Sequence, residues 1–391
     1  VVEMRWASAV SRWITAEIAI RECAEQIREE LGPGSPDLLF VFISPRFADA
    51  FPRVCEELSE HLSPRVLAGC SAAGVVGGGE EIEHRPAVSL VAARLPGVEV
   101  LPFRLNPSTL PDLDGPPGSW HEALGVPAGE RHFVLLADPF TFRPELLAGL
   151  DYAYPGPAKI GGLASGSSAR GGNALFLGDR VFFDGTVGVA LSGDVEVEAV
   201  ASQGCRPVGP LMRVTRSEGN IIYELDGTEA LEALRKVLRS LDGRDRELAR
   251  TALYAGIPGD EFLERPGRGD FLIRDLIGAD PNSGAIAVSE RVSEGARLRL
   301  HLRDAASAAA DLREALGGLG GFSGALLFSC VARGRGLYGR PGFETGVLRE
   351  LVGDVPAGGC FSGGEIGPAA GGTRLHAYSA VFGLFRPASG P

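Results

Sequence analysis

The chain has 391 residues, 45% of them hydrophobic, and a formal net charge of −12. That length exceeds one core and predicts two domains. The acidic balance argues against a nucleic-acid surface, which needs clustered positive charge, so no nucleic-acid partner is expected. No run of about eighteen apolar residues occurs, so no membrane span is expected either.

Lys159 and Lys236 are the only lysines, which reads as the coding bias of a GC-rich, bacterial genome. The N-terminus lacks a basic segment followed by an apolar core, so no secretory signal is expected. Cys23, Cys55, Cys70, Cys205, Cys330 and Cys360 have no C-x-x-C spacing. A zinc site and a dense disulfide framework are therefore not expected, and the predicted compartment is the cytoplasm.

In chain order, Ile20, Ala24, Ile27 and Leu31 form one apolar stripe, predicting a helix from Thr15 to Leu31 that Gly32-Pro33-Gly34 stops. A unit of roughly seventy residues then begins. It runs through an apolar strand Leu38 to Ile43, a helix Ala48 to His61, a strand Arg65 to Ala68, a small-residue turn Gly69 to Gly74, and a strand Val88 to Leu95. The Pro-rich segment Pro107 to Pro127 reads as a surface loop. The same order returns as His132 to Ala137, Pro144 to Leu150, Lys159-Ile160, the turn Gly161 to Gly166, a hairpin over Asn173 to Phe183, and Thr186 to Leu191. Val195 to Ser202 alternates as a half-buried strand should.

A hairpin ending at Asp226-Gly227 and a helix with Thr228 as N-cap mark the junction between domains, at 211–241. Strands are predicted at Leu253 to Ile257, Asp270 to Ile277, Ala285 to Val288 and Arg297 to Leu302, with a helix from Asp304 to Leu316. These read as a degenerate fourth unit. The third clear copy follows as Ala325 to Val331, Phe343 to Leu351, the turn Gly358 to Glu365, and His376 to Phe385. The expected fold is α/β: two similar halves, 1–210 and 211–391, of duplicated β-α-β-hairpin units. Mixed sheets carry helices outside, with αββα layering favoured.

Several motifs resemble one family in the right order. They are Gly69-Cys70-Ser71 with Gly74, Tyr223-Glu224-Leu225-Asp226-Gly227, Leu272-Ile273-Arg274, Asp280-Pro281, Gly295, Arg303-Asp304-Ala305 and Gly364-Glu365-Ile366-Gly367-Pro368. The chain resembles FIST proteins (F-box and intracellular signal transduction proteins), with an N-terminal and a C-terminal domain. The resemblance implies a sensory domain for small ligands, amino acids or their derivatives, usually coupled to signalling modules. No kinase, cyclase, receptor or F-box segment stands in these residues, so a separate signalling protein is the expected partner.

Equivalent glycine turns related by repetition would converge and offer backbone N–H groups to a ligand. Gly69, Cys70, Ser71, Gly74, Gly162, Ser165 and Gly364 are the candidates there. Arg333 would take a carboxylate in two-pronged fashion, and Glu365 an ammonium group. Each has a plainer role: the turns as bends, Arg333 as a solvated surface group, Glu365 as a loop organiser. Arg274 and Asp304 read as a structural ion pair. Cys70 and Cys360 are the nucleophiles of an alternative hydrolase or transferase, but no histidine stands in a recognisable motif beside them. A third reading is a protein-interaction scaffold. No cofactor and no metal site are expected, and binding is favoured over catalysis.

Overall fold

The computed structural model describes residues 3–267 and 269–388. It is mixed α/β with helices outside the sheets, as expected. Three six-stranded sheets share one strand order. In the first, Arg5–Ser11, Val88–Arg94, Leu38–Ile43 and Val66–Ser71 lie side by side, and the hairpin Leu175–Leu177/Arg180–Phe182 completes the row. In the second the order is Val98–Leu105, Thr186–Gly193, His132–Ala137, Lys159–Leu163, then the hairpin Glu365–Ala369/Gly372–His376. In the third it is Glu196–Ser202, Ala380–Arg386, Gly324–Cys330, Ala357–Ser362, then Gly74–Gly77/Glu80–Glu83. Within each sheet the two middle strands run parallel and the remaining pairs are antiparallel.

Every unit therefore lends its hairpin to another: the first to the third sheet, the second to the first, the third to the second. The exchange is cyclic, so the three units are related by a pseudo-threefold axis. Inward side chains of all three sheets, among them Phe40, Phe42, Leu136, Val189, Leu326 and Phe328, meet in one apolar core around it. Helices Ala16–Leu31 and Val54–Leu62 cover the first sheet, Pro117–Leu124 and Glu145–Ala153 the second, Ala305–Leu316 and Phe343–Leu351 the third. Sheets do stack with helices outside, but around a shared centre of three.

The expected fourth copy is a different object. Strands Cys205–Glu218, Arg297–Arg303, Leu253–Pro258, Phe271–Asp280, Ala285–Val288 and Ile221–Leu225 pair in sequence, and the last returns to the first. This antiparallel ring closes into a barrel around Val214, Ile222, Val288, Leu298 and Leu300, with helix Ala230–Ser240 packed on it. It is inserted in the third unit, between strand Glu196–Ser202 and helix Ala305–Leu316. Residue 210 falls inside the barrel's first strand.

Smaller differences have clear causes. Strands Arg5–Ser11 and Val98–Leu105 escape sequence reading, because their partners, not their composition, hold them. The Pro-rich segment contains helix Pro117–Leu124, ordered by the fully buried Trp120. Thr228 lies in a short strand and does not cap the helix that follows. Arg274 pairs with Glu290 and Asp304 with Arg206, because strand Leu253–Pro258 lies between the strand that carries Arg274 and the one that leads to Asp304.

Candidate functional site

The glycine turns begin inside strands. Gly69, Gly161 and Gly359 occupy equivalent positions inside strands, facing Val41, Leu135 and Leu327. A Cβ at these positions would sit 2.1, 1.9 and 1.9 Å from the facing carbonyl oxygen. The repeated glycine thus answers close strand approach. One residue on, Cys70, Gly162 and Cys360 face the central core. A Cβ on Gly162 would lie 2.8 Å from that of Ser362, and one on Gly74 would lie 2.7 Å from the Phe361 ring.

Cys70 and Cys360 are fully buried, and both belong to the central core. Burial, then Cys70, then Glu365 hold the Cys360 thiol well above its ordinary pKa, which opposes a nucleophilic thiolate. Ser71 Oγ accepts the Ala174 N–H at 2.9 Å. Ser165 Oγ accepts the Ala73 N–H at 2.9 Å and donates to the Phe361 carbonyl at 2.5 Å. Both serines therefore staple one unit to another.

Glu365 is sealed from solvent. It accepts Ser362 Oγ at 3.1 Å and the Ser379 N–H at 3.2 Å, and burial pushes its pKa well up. Arg333, weighed as a surface group, is wholly buried. It pairs with buried Glu344 at 2.5 Å and donates to Tyr338 Oη at 2.6 Å and the Tyr378 carbonyl at 3.1 Å. Glu81, on the first unit's hairpin, lies beside this pair and accepts the Thr345 N–H at 2.7 Å and its Oγ1 at 3.1 Å. Burial, then the charge of Glu344, push Glu81 up to about 7.

Gly364 alone among the candidate ligand-binding residues lines a large cavity. This cleft of about 880 Å³ opens between helix Glu145–Ala153, the third unit's hairpin and the barrel. It has more than twice the volume of the pocket of about 320 Å³ beside Thr345. Leu147, Ile257, Leu272 and Leu375 supply apolar wall, and Phe262, 84% exposed, stands at the rim.

Three guanidinium groups enter the cleft with different commitments. Arg274 pairs with Glu290 and reaches the Leu375 carbonyl at 3.2 Å, bridging barrel to hairpin. Arg297 donates to the carbonyls of Glu261 and Leu263 at 2.8 and 2.6 Å. Arg374 donates to those of Thr373 and Gly371 at 2.9 and 3.1 Å. Among the described residues, neither Arg297 nor Arg374 has a carboxylate within 4 Å. Asp260 and Glu261 line the same cleft, and Asp260 uses one oxygen on the Phe262 N–H at 2.9 Å. His376 beneath is pushed down to about 4 by burial, so its ring is neutral at pH 7 and donates to the Pro368 carbonyl at 3.0 Å. Among the described residues no cluster of three or more His, Cys, Asp or Glu is placed to hold a metal.

Sequence reading missed Arg374, Arg297 and Asp260 because the cleft is built from three segments far apart in the chain. The doublet Gly371-Gly372 was the one local signal, since it shapes the hairpin that presents Arg374.

A family model of the FIST N domain matches residues 37–228, and one of the FIST C domain matches 230–368. An uncharacterized protein of Mycobacterium tuberculosis is 38% identical over 392 residues, covering 98% of this chain and 100% of its own. One of Mycobacterium bovis is 38% identical and covers 98% and 99%. A solved cyanuric acid hydrolase aligns with 99% of this chain and 100% of its own at 10% identity, with a TM-score of 0.31 that bears no argument.

Proposed function

Because the chain belongs to the FIST family, whose N- and C-terminal domains are sensory domains of signal transduction, we propose that it binds an amino acid or amino-acid derivative in the cleft beside the barrel. The observation that carries this reading is the pair Arg297 and Arg374, both without a carboxylate partner, in a cleft that also holds Asp260 and Glu261. A guanidinium matches a carboxylate in two-pronged fashion, and an aspartate accepts an ammonium group. Leu147, Ile257, Leu272 and Leu375 suit an apolar side chain between the two ends.

Gly364 stays in this proposal as cleft wall, and Glu365 and Arg333 support the wall from within. One side of the cleft belongs to the three-unit body and the other to the barrel. A ligand that touches both favours one relative position, and a separate signalling protein reads it. The six cysteines, none in a disulfide, support placing this action in the cytoplasm. No helix among the described residues is long and apolar enough to cross a membrane.

Thermal-shift titration with free amino acids, their amides and their N-acetyl derivatives tests the reading, with Arg374→Gln as the paired variant. A ligand at one hundred times its Kd adds about 2.7 kcal/mol of stability, and the substitution should remove most of that gain. If no compound raises Tm, the cleft is not a receptor for this class.

A further inference from the structure

A second concavity, separate from the cleft, gathers positive charge in a chain whose net charge is −12. It measures about 220 Å³ and lies where the parallel strands Leu38–Ile43 and Val66–Ser71 end. Arg46, His84 and Arg85 line it together with Ala73 and Gly166. Among the described residues no carboxylate lies within 4 Å of any of the three basic side chains. Many other arginines on this molecule do have such a partner, as Arg65 has Asp37 and Arg131 has Glu99. The two guanidinium groups beside one small hollow repel each other until an anion enters.

The floor is built to stay open. Gly166 has φ +103°, and a Cβ there would lie 2.7 Å from Pro45 Cγ, so a side chain would press into the hollow's own wall. Ser165 next to it is held by the Ala73 N–H and the Phe361 carbonyl, which fixes the loop from beneath. The C-terminal ends of parallel strands are also where open α/β sheets place their ligands. At about 30 Å³ per water, the volume corresponds to about seven waters, which leaves room beyond a single tetrahedral oxyanion.

We propose that this hollow is a binding site for a phosphate group, held by Arg46 and Arg85 with His84 as a third donor. The chemistry is that of guanidinium on a tetrahedral oxyanion, two parallel N–H···O bonds per arginine. It is independent of the amino-acid cleft, and the two sites can fail separately.

Isothermal titration at low ionic strength with inorganic phosphate, and separately with methyl phosphate, tests it. Saturable binding is expected, weakening as sodium chloride screens the charges. The double variant Arg46→Gln/Arg85→Gln should weaken it about tenfold or more, since it removes both charge-assisted donors. Both arginines are exposed, so the variant folds, and an unchanged Tm verifies that. Arg374→Gln should leave phosphate binding unchanged. Tighter binding of methyl phosphate identifies a phosphomonoester as the ligand; tighter binding of inorganic phosphate identifies the free ion. Absence of saturable binding by either, or equal affinity in the double variant, overturns the proposal.

Discussion

In the three-unit body every sheet is completed by a hairpin from a neighbour, whereas the barrel completes itself: strand Cys205–Glu218 pairs with Arg297–Arg303 on one side and Ile221–Leu225 on the other. The body is therefore interlocked and the barrel self-contained. Polar links that join them include Arg274 to the Leu375 carbonyl, Tyr378 Oη to Asp275, Gln203 to the Gly269 and Phe271 carbonyls, and Arg303 to the Ala332 carbonyl. A seam between a rigid body and a closed insert is where a ligand can alter relative position without breaking either core.

The comparison breaks first at the glycines. Gly161 has its facing carbonyl 1.9 Å from where a Cβ would lie, whereas Gly278 on the barrel has nothing within 4 Å. Gly161→Ala is expected to cost about 4 kcal/mol or more, because two backbones must part. Gly278→Ala should stay within about 0.5 kcal/mol. Urea denaturation of both variants measures the contrast, and equal costs would mean that the body is no more tightly closed than the barrel.

Next in size is the buried ion pair that ties the third unit together. Arg333→Met strands Glu344 in the interior and should cost about 3–5 kcal/mol. Replacing both, Arg333→Met with Glu344→Met, should recover much of that, since an apolar pair of similar volume carries no desolvation penalty. If the double variant is as unstable as the single one, Arg333 acts through its carbonyl contacts and not through Glu344.

Glu81 gives a pH signature of the same region. Its folded pKa of about 7 stands above the ordinary 4.5, so the folded state holds the proton more tightly than the unfolded chain. Stability from this group is full below about 4.5 and is lost as pH rises through 7, on the order of 3 kcal/mol in all. His301 and His376, both pushed down to about 4 by burial, act the other way, losing stability as pH falls from 6.5. Subtracting the stability profile of Glu81→Gln from the wild-type profile cancels the histidines. The difference should fall between pH 4.5 and 7; a flat difference would show that Glu81 is ionised throughout.

The repeat was legible because close packing around an axis demands the same residues three times: an apolar strand, then a glycine where the next strand presses in. The exchange of hairpins was not, since Glu365 pairs with Gly162 and Val75 with Cys360 across more than a hundred residues of chain. That misplacement carried the site reading with it. Turns expected to open on a ligand, as at Cys70 and Ser71, instead close on one another. The barrel looked like a fourth copy because its strands have ordinary lengths and spacing, and nothing local announces that the last returns to the first. Arg374 was invisible for a related reason: its value lies in having no carboxylate within 4 Å among the described residues, which only the assembled cleft reveals.

Arg374→Gln makes the smallest change to the fold and the sharpest test of the seam. Its guanidinium holds only two carbonyls of its own hairpin, Thr373 and Gly371, so its loss should alter stability by no more than about 0.5 kcal/mol. Affinity for an amino-acid carboxylate should nonetheless fall about tenfold or more, because the lost bond is charge-assisted. Thr373 itself is tied to Asp151 at 2.6 and 2.8 Å, so the hairpin keeps its place on the second sheet without the arginine. A variant that melts like wild type yet no longer responds to ligand separates recognition from folding. A variant that loses both would put Arg374 among the groups that hold the seam shut, and the ligand's carboxylate would then belong to Arg297.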